Sequence, residues 1–325
     1  MSSAPVKFNP PDAYRTGDPI EGKTDSRTGD VYVFNDRIRL AVQVALATGR
    51  PLLVRGESGW GKSSLAAASA RFLGWEFLET VITSRTQARD LQWELDLLLR
   101  LNDAQAHKAD PDFRKYVRPG ILWWAFQPGQ ALEQQGVFDA ARGVDTKRKP
   151  STKPGTVVLI DEIDKADPDV PNNLLVALGS LEFRVEETGQ LVRADKSQPP
   201  LVFITTNEER ELPAAFLRRC IEIKLPALTA PDRDGSIQKK LLVDIMLAHG
   251  LGGGTPSLTR DYLEKAANML IPTGTPEQEA VIPSPAEFKD TILALVDRYG
   301  PTEIKQEDVN EIAQLTLTKR RAARR

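Results

Sequence analysis

The chain has 325 residues, 41% of them hydrophobic and 27% charged, with 43 basic against 45 acidic side chains. That length carries one large domain or two ordinary ones, and a net charge of -2 supplies no global attraction to nucleic acid or a membrane surface. A single cysteine, Cys220, excludes an intrachain disulfide and a thiolate metal cluster. Two histidines far apart in sequence, His107 and His249, exclude a multi-histidine zinc site and argue against a histidine-based triad. The first residues, Met1 to Pro11, lack the apolar stretch of a signal peptide, and no run approaches the roughly 18 apolar residues of a membrane span. The expectation is a soluble, cytoplasmic protein whose chemistry runs on Lys, Arg, carboxylates, hydroxyls, backbone or a bound ion. The charge is uneven: Lys319 to Arg325 holds five basic groups and no acid, and the rest stands at 38 basic against 45 acidic.

In chain order, residues 1 to about 28 are rich in Pro, Gly, Asp and Thr and read as an arm or poorly packed lead-in. Val31–Phe34 reads as a strand-like contact of the core or a wall beside a ligand. Apolar residues at helical spacing from Asn35 to Thr48 predict a helix, Pro51 to Arg55 a strand, and Lys62 to Leu73 a helix closed by Gly74. Further strands are predicted at 75–81, 156–160, 201–205 and 221–225, and helices at 87–101 and 170–181. Residues 183–194 read as a hairpin turning at Glu186–Gly189. Residues 132–155 look like an exposed, weakly basic and mobile insertion. After Pro226 strands give way to helical patterns at 236–249, 258–271, 284–299 and 306–322, broken by Gly252–Gly254 and a Pro-rich stretch at 272–285. An α/β domain followed by a smaller all-helical one is therefore expected.

Gly56-Glu57-Ser58-Gly59-Trp60-Gly61-Lys62-Ser63 matches the phosphate-loop pattern in full, after a strand and opening a helix. Its backbone N–H groups and the helix N-terminus, through Ser64, would cradle an anion, with Lys62 on the β- and γ-phosphates and the Ser63 hydroxyl on Mg²⁺. The same stretch without a ligand is simply a glycine turn. Val157–Ile160 is an apolar strand ending in Asp161 and Glu162, at the edge where α/β sheets place ligands. Asp161 suits the magnesium shell and Glu162 suits activation of water; paired acids after a strand are otherwise a solvated turn. Leu201–Thr206 ends in Asn207, which either positions the lytic water or forms a turn. Arg218 and Arg219 close a short helix, as a solvated face or as groups reaching a neighbouring subunit's γ-phosphate. Cys220, among apolar neighbours, reads as a core residue. Trp123, Trp124 and Phe126 read as core or as a partner contact. The basic tail reads as a frayed helix end, or as a contact for nucleic acid or an acidic partner.

In this order, the phosphate loop, Asp-Glu strand, Thr-Asn strand, paired arginines and helical C-terminal region resemble an AAA+ ATPase module over about residues 30–322. The segment from Thr86-Gln-Ala-Arg-Asp-Leu91 to Pro119-Gly-Ile-Leu-Trp-Trp-Ala125 is similar to the second-helix insert of the MoxR-like branch, as are residues 161–178 and the 183–194 hairpin. The resemblance implies a parallel sheet flanked by helices, then a helical lid. The expected division is an arm over 1–28 and a nucleotide-binding domain over 29–226, with an insert at about 86–125 and the insertion at about 132–155. The lid covers 227–325. It implies Asn207 as the first sensor and Arg219 as a trans-acting arginine with Arg218 beside it. The chain departs from the family at the second sensor: Ser284-Pro285 is followed by Ala286 where the family often has Arg, with Lys289 one turn on.

The resulting expectation is a Mg²⁺-dependent ATPase binding ATP through residues 56–64, assembled as a homo-oligomeric ring, a hexamer. The MoxR-like resemblance adds a chaperone-like remodelling role with a von Willebrand A-domain partner. Two alternatives are a nucleic-acid motor or restriction-type NTPase, disfavoured by the acidic hairpin tip at Glu186–Glu187, and an ATP-gated assembly platform with little turnover.

Overall fold

The computed structural model describes residues 6–15, 30–108, 110–145, 148–226, 235–250, 258–271, 282–301 and 304–317. In chain order the elements are β1 (Ala13–Arg15), β2 (Val31–Val33), α1 (Asp36–Thr48), β3 (Leu52–Arg55), α2 (Lys62–Leu73) and β4 (Glu76–Val81). Then come β5 (Trp93–Leu95), α3 (Leu97–Gln105), β6 (Val117–Pro119), α4 (Ile121–Phe126), α5 (Pro128–Ala140), β7 (Thr156–Asp161) and α6 (Asp169–Ser180). The rest are β8 (Glu182–Arg184), β9 (Leu191–Arg193), β10 (Leu201–Thr206), α7 (Ala214–Leu217), β11 (Ile221–Lys224), α8 (Ser236–Ala248), α9 (Arg260–Leu270), α10 (Pro285–Tyr299) and α11 (Gln306–Thr316). Contacts group the chain into two units: one holds Met1–Phe8, Ala41–Arg55 and Ser69–Ile223, the other Asn9–Leu40, Gly56–Ala68 and Lys224–Arg325.

The first unit is built on a five-stranded sheet of order β11-β3-β10-β7-β4. β3, β10, β7 and β4 run parallel, with Ile204 opposite Ile160 and Thr206 opposite Arg55. Parallel neighbours need crossovers that cover both faces, so the central strands are largely apolar and buried: every residue of β10 is buried. This is the parallel α/β architecture expected from the sequence.

The stretch predicted as one helix over 87–101 is instead a 3-10 turn at Ala88–Leu91, strand β5 and helix α3. The cause is long-range pairing: Trp93 lies opposite Pro119 and Leu95 opposite Val117. The turn into α4 is tight enough that a Cβ on Gly120 would stand 2.6 Å from the Asp90 carbonyl oxygen. Around this insert, Trp93 stacks on Phe183 at 5.9 Å, while Trp123 and Phe126 meet the same ring at 6.2 and 5.9 Å. Trp123 and Phe126 are buried, in keeping with the core reading, whereas Trp124 is half-buried beneath the Arg148 guanidinium at 4.0 Å.

The exposed insertion expected over 132–155 holds in part: residues 143–145 and 148–154 are exposed, but its two ends are tied to the fold. Its first part continues α5, where buried Gln134 donates to the Arg114 and Val117 carbonyls at 2.7 Å each. Its last part is strapped down by Arg148 on Glu76 (2.7 Å) and Lys153 on the Trp75 carbonyl (3.2 Å). At the N-terminus, Phe8 is buried edge-on to Phe72 at 5.4 Å and Pro10 is buried, whereas residues 6, 7, 9 and 11–13 of the expected lead-in are exposed.

In the second unit, β1 pairs antiparallel with β2, Ala13 opposite Val33. Helices α8 to α11 bury Leu242, Met246, Leu263, Phe288, Ile292 and Val309 in a core of their own. α10 starts at a capping box in which Ser284 and Glu287 exchange hydrogen bonds. The predicted linker from Ala227, the Gly252–Gly254 break, most of the Pro-rich stretch and the tail Lys319–Arg325 lie outside the described residues.

Candidate functional site

In the second unit, the loop Gly56–Gly61 runs into the first turn of α2. Lys62 is buried, and its ammonium donates to the Gly56 and Glu57 carbonyls at 2.8 and 2.9 Å, which shapes the loop around the base of its own lysine. Glu57 and Ser58 are exposed, Ser63 and Ser64 half-buried, and the Trp60 indole is buried. Gly59 has φ +85°, and a Cβ there would stand 2.5 Å from Ser284 Oγ and 3.2 Å from Ala286 Cβ. Only glycine permits that backbone and that approach. Position 286 thus faces the loop with a methyl group, while Lys289 is half-buried one turn along α10. The Tyr32 ring covers the other side, 3.4 Å from where a Gly61 Cβ would be, so β2 serves as a wall of the loop.

In the first unit, the C-terminal ends of β7 and β10 bring three of the expected residues together. Asn207 Nδ2 donates to Glu162 Oε1 at 3.2 Å. Lys165 Nζ bonds the other oxygen, Oε2, at 2.6 Å, and that contact raises the lysine's pKa. The pair is exposed and contributes little to stability. Thr205 links the two acids: its hydroxyl donates to Asp161 Oδ1 and accepts the Glu162 N–H at 2.9 Å. Glu162 and Glu208 both have left-handed backbones, φ +61° and +62°. Each costs roughly 1–2 kcal/mol for a residue with a side chain, a cost found where surroundings over-determine a functional turn. Asp164, buried, accepts the N–H groups of Asn207 and Glu209 at 3.2 and 3.0 Å. Arg55, where β3 ends, bonds Glu208 and Glu222 at 3.0 Å each, and Glu222 foremost raises its pKa.

Arg218 and Arg219 are not part of this group. They are exposed in the turn after α7, which Arg50 pins by donating to the Arg218, Arg219 and Cys220 carbonyls at 2.6, 3.1 and 2.8 Å. The turn enters β11, whose Ile221 N–H bonds the carbonyl of Pro51, the residue before β3. With Arg50, Pro51, Lys196 and Pro199, both arginines line an open cavity of about 650 Å³ at the N-terminal ends of the strands. A six-residue strand spans roughly 20 Å, so Arg219 stands a sheet's length from Glu162 and Asn207 of the same chain.

Asp161, Glu162 and Asn207 were readable as polar residues ending apolar strands. Thr205, Asp164, Lys165 and Arg50 were not singled out. Of these, Thr205 carried a signal, one of two hydroxyls ending a buried strand that is otherwise apolar.

The family model of the AAA domain (dynein-related subfamily) matches residues 51–220, just over half of the chain. The chain belongs to this AAA domain family. The match starts just before β3 and ends at Cys220, so it takes in the phosphate loop, strands β3, β4, β7 and β10, and the paired arginines of this AAA domain. No curated protein sequence matches the chain. Among solved structures, a variant of Thermotoga maritima RuvB is 15% identical, with TM-score 0.47 over 89% of this chain and 72% of that one. Thermotoga maritima RuvB described as a Holliday junction branch migration motor is 16% identical, with TM-score 0.44 over 86% and 67%. Among the described residues no helix is long and apolar enough to cross a membrane.

Proposed function

We propose that this AAA domain protein is an ATPase that works in a homo-oligomer. The observation that carries the reading is the Glu162 carboxylate within 3.2 Å of the Asn207 amide, at the ends of adjacent central strands, in a chain with a complete phosphate loop. The loop fits an anion: its glycine backbone is held open by a close approach that excludes any side chain at Gly59, and its lysine is preset on loop carbonyls. In this reading residues 56–64 bind the phosphates of ATP, with Lys62 supplying positive charge. Ser63 and Asp161 would hold Mg²⁺, which when bound neutralises charge on the phosphates. Glu162 takes a proton from the attacking water, and Asn207 orients both the carboxylate and that water. Thr205 fixes the direction of the Asp161 and Glu162 segment through its two hydrogen bonds.

Arg219, with Arg218 beside it, is assigned to the γ-phosphate of another copy. Its distance from Glu162 along the same sheet supports action in trans and therefore assembly, as a ring in the hexameric form of the resemblance. The MoxR-like insert sequence supports a remodelling or chaperone-like role in the cytoplasm, with a von Willebrand A-domain protein as partner. A nucleic-acid motor is the weaker reading, because the acid exposed at the hairpin turn is Glu186, which would repel a phosphate backbone. A nucleotide-gated platform would need binding without turnover.

Phosphate release and ATP titration of wild type and E162Q test the reading. The expected result is an ATP affinity within about threefold of wild type and a rate at least about 100-fold lower. A wild-type protein that binds but does not turn over ATP, or an E162Q variant at the wild-type rate, sinks it.

A further inference from the structure

We propose that Asp164 is a positioning residue for hydrolysis, holding Asn207 from its main-chain side while Glu162 holds it from its side chain. The inference rests on the hydrolytic reading above. Asp164 follows Glu162 by two residues in a one-turn 3-10 helix, Ile163–Lys165, and is only 3% exposed. One oxygen, Oδ2, takes both the Asn207 and the Glu209 N–H, at 3.2 and 3.0 Å. Between those two donors lies Glu208 with φ +62°, so the turn that carries Asn207 is unfavourable on its own and is closed by this carboxylate.

The other oxygen, Oδ1, is buried and has no hydrogen-bond partner among the described residues. A buried carboxylate satisfied on one side only is a poor device for stability. Its geometry instead fits a different task. Three residues of the Asp161–Lys165 segment grip β10 and the turn after it at three heights: Thr205 through Asp161 and the Glu162 N–H, Asn207 Nδ2 through Glu162, and the Asn207 and Glu209 amides through Asp164. Any displacement of the Asn207 backbone would move its amide away from the Glu162 carboxylate. Asp164 therefore acts through Asn207 and touches no substrate.

The test is a double-mutant cycle on the full chain with D164A, N207A and D164A/N207A, read by kcat and KM for ATP. D164N serves as the conservative variant, because an amide oxygen can accept the same two N–H groups. The expected result is a 10- to 100-fold lower kcat for D164A, with KM within about threefold, and at least about a third of wild-type kcat for D164N. The double variant should be no more than about threefold slower than the slower single variant. Multiplying effects, a wild-type kcat in D164A, or a D164N as slow as D164A would overturn the proposal. Hydrogen exchange gives an arm independent of turnover: the amides of residues 207–209 should lose protection in D164A, with the strands unchanged. Unchanged protection there also overturns it. An inactive wild type, by contrast, fails the hydrolytic reading and leaves the exchange result to decide the turn's dependence on Asp164.

Discussion

Glu162 shows how much of this site is decided within a few ångströms. Its backbone is left-handed, its N–H is fixed on Thr205, and its two oxygens are divided between Asn207 and Lys165. A polar residue ending an apolar strand is visible in a sequence, which is why Asp161, Glu162 and Asn207 were legible there. Asp164 and Thr205 act through distances of 3 Å across two strands 43 to 45 residues apart, and a sequence records no such pairing. Cys220 offers a check on the core at the same scale. Burial pushes its thiol pKa up to about 12. At pH 8 such a thiol is thiolate in only about one molecule in ten thousand, and the thiolate is the reacting form. Ellman's reagent should therefore leave native protein almost unlabelled for minutes and react at once with the sole thiol after denaturation. Rapid stoichiometric labelling of native protein would contradict this packing.

Among elements, those whose pattern is local matched their sequence reading. The runs expected at 51–55, 156–160 and 201–205 are strands at Leu52–Arg55, Thr156–Asp161 and Leu201–Thr206, and the hairpin turns where Glu186–Gly189 foretold. The misread elements, the split at 87–105 and helix α5, depend on partners distant in sequence: Pro119 opposite Trp93, and Gln134 capping the Arg114 and Val117 carbonyls. Helix α3 is the extreme case, for it has no fully buried residue and leaves Leu97, Leu98 and Leu101 exposed. Its start rests on Asp96, whose Oδ1 accepts the Leu99 N–H at 2.8 Å while Oδ2 meets Arg142 at 2.5 Å. The Leu99 bond foremost, with Arg142, lowers the Asp96 pKa below its ordinary 3.8. A lowered value means that the contribution is complete above the unfolded carboxylate's pKa and is lost as pH falls through the folded one. Urea unfolding of D96A should thus show a loss of about 1 kcal/mol at pH 7, shrinking below about pH 4. Equal stability at pH 7, or a gap unchanged down to pH 2, would contradict the cap.

At the scale of the whole molecule, the two ends of one sheet carry different duties in the proposed reaction. Glu162 and Asn207 lie at the C-terminal ends of the strands, Arg219 at the N-terminal ends, pinned by Arg50. In that proposal a single copy offers the base and sensor at one end of the strands and the arginine at the other, which suits assembly in which each copy completes its neighbour. Subunit mixing tests this most directly. R219A alone and E162Q alone should each fall at least about 100-fold in ATP turnover. Mixed in equal amounts under assembling conditions, they should recover about a quarter of the wild-type rate, the share of random interfaces that join an intact Glu162 to an intact Arg219. A mixture as inactive as its parts, or R219A at the wild-type rate by itself, would contradict an ATPase site completed in trans.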